Sequence, residues 1–194
     1  MPALSNLITM INTSISTNSL SSNKFQNGKY YNIADPVRTY DEDGSNYTEP
    51  MIIDNNGECV SLVFDDNYPF KLFHVIDDIE YIVPTDDYGS GGTTMQEVAN
   101  AKLIFAGSRK SLKTSQEDIM AAIVYDIPKE FVYNIIQPLN ITSAIIEIGS
   151  VSTNIYDVWE ANWKNTRFRL NTDTFIFSIK YKIVTEYNSC FGVC

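Results

Sequence analysis

Short runs in which apolar and polar residues alternate are the main pattern of this chain, and they predict strands because successive strand side chains face opposite ways. The clearest run is 174–187. One of its sides carries Phe175, Phe177, Ile179, Tyr181 and Ile183, and the other carries Ile176, Ser178, Lys180 and Lys182. Further apolar runs predict strands at 51–53, 59–64, 70–75, 79–83, 101–106 and 141–151. Turns are predicted at 54–57, 65–69 and 77–78, where Asp, Asn and Gly concentrate, and Gly107 and Gly149 are expected to end strands.

Two segments repeat their apolar residues at helical spacing instead. The first is a short amphipathic helix over 5–16, with its apolar stripe formed by Leu4, Leu7, Ile8, Ile11 and Ile15. That stripe either covers the core of its own chain or docks on a neighbouring subunit. The second helix begins at Thr114 or Ser115, carries acidic residues in its first turn and ends before Pro128.

These elements predict an α+β fold. We expect a mixed or antiparallel sheet with a packed helix near 115–127, a short N-terminal helix and long loops such as 84–94. A length of 194 residues with 44% hydrophobic residues suits one domain. We assign 1–29 to an N-terminal helix and a Ser/Thr/Asn-rich arm, and 30–194 to a single α+β domain.

Acidic residues are concentrated in the first half of the chain. Residues 1–100 contain 15 acidic and 4 basic side chains, whereas residues 101–194 contain 9 and 10. Such a surface repels phosphate backbones and anionic membranes, so it argues against specific nucleic-acid binding and against membrane binding. It is either a solvated face or the wall of a channel that DNA passes without adhering. No signal peptide or apolar span is apparent and the three cysteines form no disulfide framework, so we expect a protein made inside the cell.

Patterns for chemistry are weak. His74, the only histidine, lies in an alternating run and is expected to be a structural or surface residue. The glycines at 89–92 lack the Gly-Lys-Ser/Thr ending of a phosphate loop, and the acidic run at 41–46 fails the EF-hand spacing. The adjacent acids at 77–78 are interpreted as turn residues that discourage edge pairing. We therefore predict no enzymatic activity, no catalytic residues, no cofactor and no metal.

Two stretches carry a resemblance. AKLIFAGSRKSLKTSQEDIMAAIVYDIP, at 101–128, combines a strand, a basic hinge and an acid-started helix. It resembles the strand–helix unit of tail terminator and neck-adaptor proteins of tailed bacteriophages. DVWEANWKNTRFRLNTDTFIFSIKYKIV, at 157–184, is similar to the closing segment of virion proteins from crAss-like phages of Bacteroides. The resemblance covers about residues 95–187.

The resemblance implies a structural role. Tail terminators and neck adaptors form rings, commonly of six or twelve copies, around the DNA path and have no enzymatic activity. The expected partners are further copies of the chain and other virion proteins, such as the portal, an adaptor or the tail tube, while DNA passes without specific binding. The expected location is the virion, after assembly in the host cytoplasm.

Six residues are candidates for the subunit interface. Arg109, Lys110 and Lys113 form a basic cluster that is either a solvated helix-entry loop or a rim that meets the acidic half of a neighbour. Trp159, Trp163 and Tyr187 are candidate aromatic anchors, with core packing as the alternative for both tryptophans.

The alternative function is a carbohydrate- or surface-binding β-rich module of a fibre or adhesin, which the aromatics and Asp-rich turns would also suit. A small hydrolase or nuclease is a third possibility, and it would have to rely on His74 and scattered acids.

Overall fold

One helix and eight strands form the described part of the chain in this computed structural model. The structure describes residues 4–17, 29–40, 44, 46–53, 56–62, 70–82, 93–108, 110, 144–154 and 174–189. The elements are α1 (Leu4–Thr17), β1 (Lys29–Ile33), β2 (Asp35–Tyr40), β3 (Asn46–Ile53), β4 (Cys59–Ser61), β5 (Phe70–Ile82), β6 (Thr93–Ser108), β7 (Ala144–Ser152) and β8 (Thr174–Ser189).

The strands form two sheets. The larger has five strands in the order β1-β5-β6-β8-β7, and the smaller has three in the order β2-β3-β4. In the larger sheet β1 runs parallel to β5, whereas β5, β6, β8 and β7 pair antiparallel in turn. The fold is therefore α+β with a mixed, unclosed sheet and a short N-terminal helix, as the pattern of the sequence predicts.

The helix α1 covers one face of the five-stranded sheet, which we call the helix face. Its residues Leu7, Ile8, Ile11 and Ile15 are each 1% exposed or less. Leu7, Ile11 and Ile15 lie over the strand residues that alternate toward that side, namely Phe70, Leu72, Leu103, Phe105, Phe177, Ile179 and Ile183. The apolar stripe of α1 thus covers the core of its own chain and is not left free to dock on a neighbour.

The opposite side of the sheet, which we call the second face, holds a smaller core. It contains Ala34, Leu62, Phe73, Val75, Ile104, Ala106 and Ile176, with Ile52 of β3 packed against it. The alternation predicted for this strand is confirmed between residues 175 and 183, because the odd-numbered residues from Phe175 to Ile183 belong to the first core and Ile176 belongs to the second. This core lies at one half of the sheet, and beside it the second face carries polar residues such as Asp78, Asn100 and Lys182.

The predicted turn at 77–78 is wrong. β5 runs without interruption from Phe70 to Ile82 and contains a β-bulge between Ile76 and Asp78. β6 pairs with it from Gly107, opposite Phe70, to Gln96, opposite Ile82. The hydrogen bonds of a ladder of this length stabilise an extended backbone at residues 77–78. This stabilisation exceeds the local preference of the two acids for a turn.

Neither glycine ends its strand. Gly107 lies inside β6, which continues to Ser108, and Gly149 lies inside β7, at an irregularity between Ile148 and Val151. A Cβ on Gly107 would lie 2.6 Å from Cζ of Phe175 and 3.0 Å from Cβ of Phe70. Gly107 is therefore required for close packing on the helix face and not for a turn.

Replacing Gly107 with alanine should lower the free energy of unfolding by about 2 kcal/mol, because the new methyl group overpacks the core against Phe175. Denaturant unfolding would measure the loss. The double variant Gly107→Ala with Phe175→Leu removes the ring atoms that the methyl group meets, so its loss should be smaller than the sum of the two single losses. Additive losses would contradict this explanation.

Several predicted features lie outside the described residues. These are the helix near 115–127, the turn at 65–69, most of the loop at 84–94 and most of the arm within 1–29. The division into an arm at 1–29 and a domain at 30–194 stays a prediction.

Candidate functional site

A chain of hydrogen bonds runs through the core between α1 and the sheet. His74 of β5 is fully buried, with Nδ1 2.7 Å from the hydroxyl of Tyr181 and Nε2 2.8 Å from Oδ1 of Asn12. The Asn12 amide nitrogen donates to the carbonyl of Tyr31 at 2.9 Å and to Oδ1 of Asn32 at 3.1 Å. Four elements, α1, β1, β5 and β8, are thereby joined.

The direction of each hydrogen bond in this network follows from Asn12. Because its amide nitrogen donates to two oxygens, its Oδ1 faces His74 and accepts. Nε2 of His74 therefore carries the proton, and Nδ1 accepts a hydrogen bond from the Tyr181 hydroxyl. Every ring nitrogen of the imidazole is satisfied in its neutral form.

Burial sets the protonation states of this network. It lowers the pKa of His74 from 6.5 to about 3 and raises the pKa of the Tyr181 hydroxyl above its ordinary value, since each charged form would lose its hydration. Both groups are neutral near neutral pH, His74 has no exposed surface and Tyr181 is 3% exposed. The network can hold α1 on the sheet but cannot exchange a proton with a dissolved substrate, so His74 is structural, one of the two roles that the sequence indicates.

The β-bulge in β5 builds a second polar cluster, on the second face. Asp77 forms an ion pair of 3.3 Å with Lys102, whose side chain is 2% exposed. Asp78 accepts a hydrogen bond of 2.6 Å from the amide of Asn100. Because Asn100 and Lys102 are two residues apart on β6, they lie on one face, and the bulge brings both acids to that face. Adjacent residues of a regular strand face opposite ways, so these two acids share a face only because of the bulge.

A shallow groove of about 360 Å³ lies beside this cluster. Its polar lining comes from Asp77, Asn100, Glu147, Lys180 and Lys182. Lys182 forms an exposed ion pair of 3.2 Å with Glu147, which contributes little to stability because solvent screens it. The groove combines carboxylates, an amide and two ammonium groups, which suits hydrogen bonding to a polar ligand more than acid–base chemistry.

Metal ligands and membrane segments were sought in the part of the chain that the structure describes. No group of three or more His, Cys, Asp or Glu residues there could hold a metal ion. Cys59 is exposed and free. No helix among the described residues is long and apolar enough to cross a membrane.

Large apolar side chains are exposed along the two edges of the five-stranded sheet. On β5, Ile79, Tyr81 and Ile82 are 43%, 62% and 44% exposed, and on β7, Ile145 and Val151 are 59% and 39% exposed. β7 is the last strand of the sheet, and β1 pairs with β5 only as far as His74. Both edges are therefore without a strand partner among the described residues at the places where these side chains lie.

The structure places two of the six predicted interface residues. Lys110 is exposed just beyond β6, and Tyr187 lies in β8 opposite Met95 of β6. Arg109, Lys113, Trp159 and Trp163 lie outside the described residues. The contact roles of all six stay predictions.

Two features of the structure were missed from the sequence. Asn12 interrupts the apolar stripe of α1 four residues after Ile8, which is a detectable sign of a buried polar contact. The edges of β5 and β7, which lack a partner in the described part of the chain, leave no local sign, because strand order depends on pairing between distant segments.

A scan against protein-family models and a search of curated proteins found no match to this chain. We therefore infer the function from the residues of the protein, their charges and the exposed edges of the five-stranded sheet.

Proposed function

We propose that this protein is a non-enzymatic structural subunit of a phage virion. It forms a ring at the neck or tail end around the DNA path, as a tail terminator or a portal–tail adaptor. The observation that carries the proposal is the exposure of Ile79, Tyr81 and Ile82 at one edge of the sheet and of Ile145 and Val151 at the other. Grouped apolar exposure of this kind marks protein contacts more than ligand chemistry.

The placement of the two apolar edges favours a ring over a two-fold dimer. A two-fold dimer uses the same surface on both copies, whereas a head-to-tail contact joins two different surfaces and closes into a ring when the rotation allows. This chain has two different apolar edges on opposite sides of one sheet. Each copy would use one edge toward each neighbour.

The charge of the chain fits a position around DNA. The net charge is −10, and the acids Asp77, Asp78 and Glu80 are exposed on β5. Acidic walls let a phosphate backbone slide without being held. Other virion proteins, such as the portal, an adaptor or the tail tube, would bind the two ends of the ring, and assembly would take place in the host cytoplasm.

The resemblance to tail terminators and neck adaptors supports the phage assignment. The stretch that carries it begins in β6 and ends in β8, which pair from Thr93 to Ser108 against Ser189 to Thr174 at the centre of the sheet. Arg109, Lys110, Lys113, Trp159, Trp163 and Tyr187 remain proposed contact residues of the subunit interface.

Native mass spectrometry of the purified protein over a range of concentrations tests the ring. We expect closed species of six or twelve copies, with rings visible by negative-stain imaging of the same sample. A strict monomer at every concentration would contradict the proposal.

The groove on the second face supports a second candidate, a carbohydrate- or surface-binding module of a fibre or adhesin. Its amide and carboxylates, from Asn100, Asp77 and Glu147, are groups that hydrogen-bond sugar hydroxyls. Tyr181 lines the groove, but its hydroxyl is turned to His74 in the core, so it offers no sugar-stacking ring there. Binding on a glycan array by a protein that stays monomeric would favour this candidate over the ring.

A further inference from the structure

We infer that neighbouring copies of this chain join edge to edge. Residues 78–81 of β5 in one copy would pair antiparallel with residues 144–147 of β7 in the next, with Ile79 opposite Ile146, so that the five-stranded sheet continues from copy to copy. This inference rests on the proposed ring and names the surfaces that would build it.

Among the described residues, both segments lack a strand neighbour on one side, and each has exposed side chains. Beyond His74, β5 has no described neighbour on the side away from β6, and β7 has none on the side away from β8. All residues from Asp77 to Ile82 are exposed, as are Ile145 and Glu147. An edge strand without a neighbour offers its N–H and C=O groups to another strand, and the acids of the β5 edge discourage its pairing with a second acidic β5 edge.

The two segments lie at the same height and have the same length. A β-bulge between Ile76 and Asp78 limits the regular edge of β5 to residues 78–82, and an irregularity between Ile148 and Val151 limits that of β7 to residues 144–148. Following the ladders across the sheet, Ile79 is level with Ala99, Ile183 and Ile146, and Tyr81 is level with Glu97, Thr185 and Ala144. Copies arranged around an axis parallel to the strands would meet without an axial shift.

The strand directions also match. β5, β6, β8 and β7 alternate in direction, so β5 and β7 of one copy run opposite ways. A rotation about an axis along the strands keeps each direction, so that β5 of the neighbour would run antiparallel to β7. Antiparallel pairs are slightly more stable per residue than parallel pairs.

Apolar side chains would meet on the helix face. Ile79 and Tyr81 alternate onto the helix face, as do Ala144, Ile146 and Ile148, which pack against the larger core. Pairing would extend the apolar row of Ala99, Ile183 and Ile146 by the neighbour's Ile79, which is 43% exposed in one copy. Cross-strand apolar pairs of this kind are a main source of sheet stability.

On the second face, lysines of β8 would lie among the acids of the two edges, and Asp78 would lie opposite Glu147, whose charge is paired with Lys182. The β5 edge presents Asp78 and Glu80, in addition to Asp77, which is paired with Lys102. Behind β7, β8 presents the exposed Lys180 together with Lys182. Strands are about 4.8 Å apart, so a lysine of β8 reaches across β7 to carboxylates on the neighbour's β5. These contacts between lysines and acids would favour pairing of β7 with β5 of a neighbour over pairing of β7 with β7 of a neighbour.

Disulfide trapping tests the pairing. In a background with Cys59→Ser, Cys190→Ser and Cys194→Ser, the chain would carry Ile79→Cys and Ile146→Cys, which share the helix face. Within one copy these positions are separated by three strand spacings, about 14 Å, which exceeds the reach of a disulfide. Any disulfide would therefore join two copies, and mild oxidation should produce a ladder of covalent oligomers on non-reducing gels.

The matched control is Ile79→Cys with Ile145→Cys. Ile145 faces the opposite side of β7 and is 59% exposed, so random collisions would favour the control, whereas strand pairing would favour Ile146. Ala144→Cys and Ile148→Cys, on the same face as Ile146, extend the scan to registers shifted by two residues.

The outcomes separate this inference from the proposed function. Cross-linking confined to same-face pairs supports edge pairing. Rings in native mass spectra with no same-face cross-link, or with equal cross-linking of the control, would overturn edge pairing and leave the ring. A monomer at every concentration without cross-links would overturn both.

Discussion

Acidification from about pH 7 to about pH 4 is expected to remove about 3 kcal/mol of the free energy of unfolding through His74 alone. The imidazole is fully buried, and burial lowers its pKa from 6.5 to about 3. In the folded chain its nitrogens already donate to Asn12 and accept from Tyr181, so a second proton would also break a hydrogen bond.

The sign of this effect follows from proton binding. Between about pH 6.5 and pH 3 the unfolded chain holds a proton on His74 and the folded chain does not. Lowering the pH in this window therefore favours unfolding, by up to about 1.4 kcal/mol per pH unit. The contribution is fully present above pH 6.5 and is lost as the pH approaches 3.

Denaturant unfolding at a series of pH values would measure the slope, with His74→Gln as the main comparison. Glutamine does not titrate and has both a donor and an acceptor for the network, so the variant should lose most of the slope between pH 6 and pH 4. Tyr181→Phe should lower stability at neutral pH but keep the slope, because the imidazole stays buried. If the free energy of unfolding changed equally with pH in the wild type and in His74→Gln, His74 would not be the cause of the pH dependence.

Replacing Phe105 with alanine should lower the free energy of unfolding by about 4 kcal/mol. Phe105 is 1% exposed and lies at the centre of a group of rings, with centroids 4.9 Å from Phe70, 4.9 Å from Phe177 and 5.7 Å from Phe175. Truncation would leave a cavity lined by rigid rings on two neighbouring strands, which cannot collapse to fill it. Urea or guanidinium unfolding would measure the loss.

Two controls separate cavity formation from general damage. Phe105→Leu keeps most of the volume and should cost about 1 kcal/mol. Ile53→Ala, at a position of β3 that is 67% exposed, should change stability by less than about 0.5 kcal/mol. A loss for Phe105→Ala no larger than that for Phe105→Leu would show that the ring group does not carry this part of the core.

Features with a strong local period could be predicted from the sequence by itself. The stripe of Leu7, Ile8, Ile11 and Ile15 determines α1, and the alternation from Phe175 to Ile183 determines β8 and the face of each residue. Both periods arise from backbone geometry, 3.6 residues per helical turn and two per strand repeat, which act within a few residues. The α+β class with a mixed sheet follows from these elements.

Only the tertiary structure decided the features that depend on distant partners. β5 continues through two adjacent acids because β6 supplies a ladder along its whole length, and Gly107 stays inside β6 because the ring of Phe175 occupies the space of a side chain. The partners of His74 lie 62 and 107 residues away along the chain. The two edges that have no strand partner among the described residues likewise result from strand order. Long-range pairing and packing fix these features, because their summed energy exceeds the local preferences on which a sequence pattern depends.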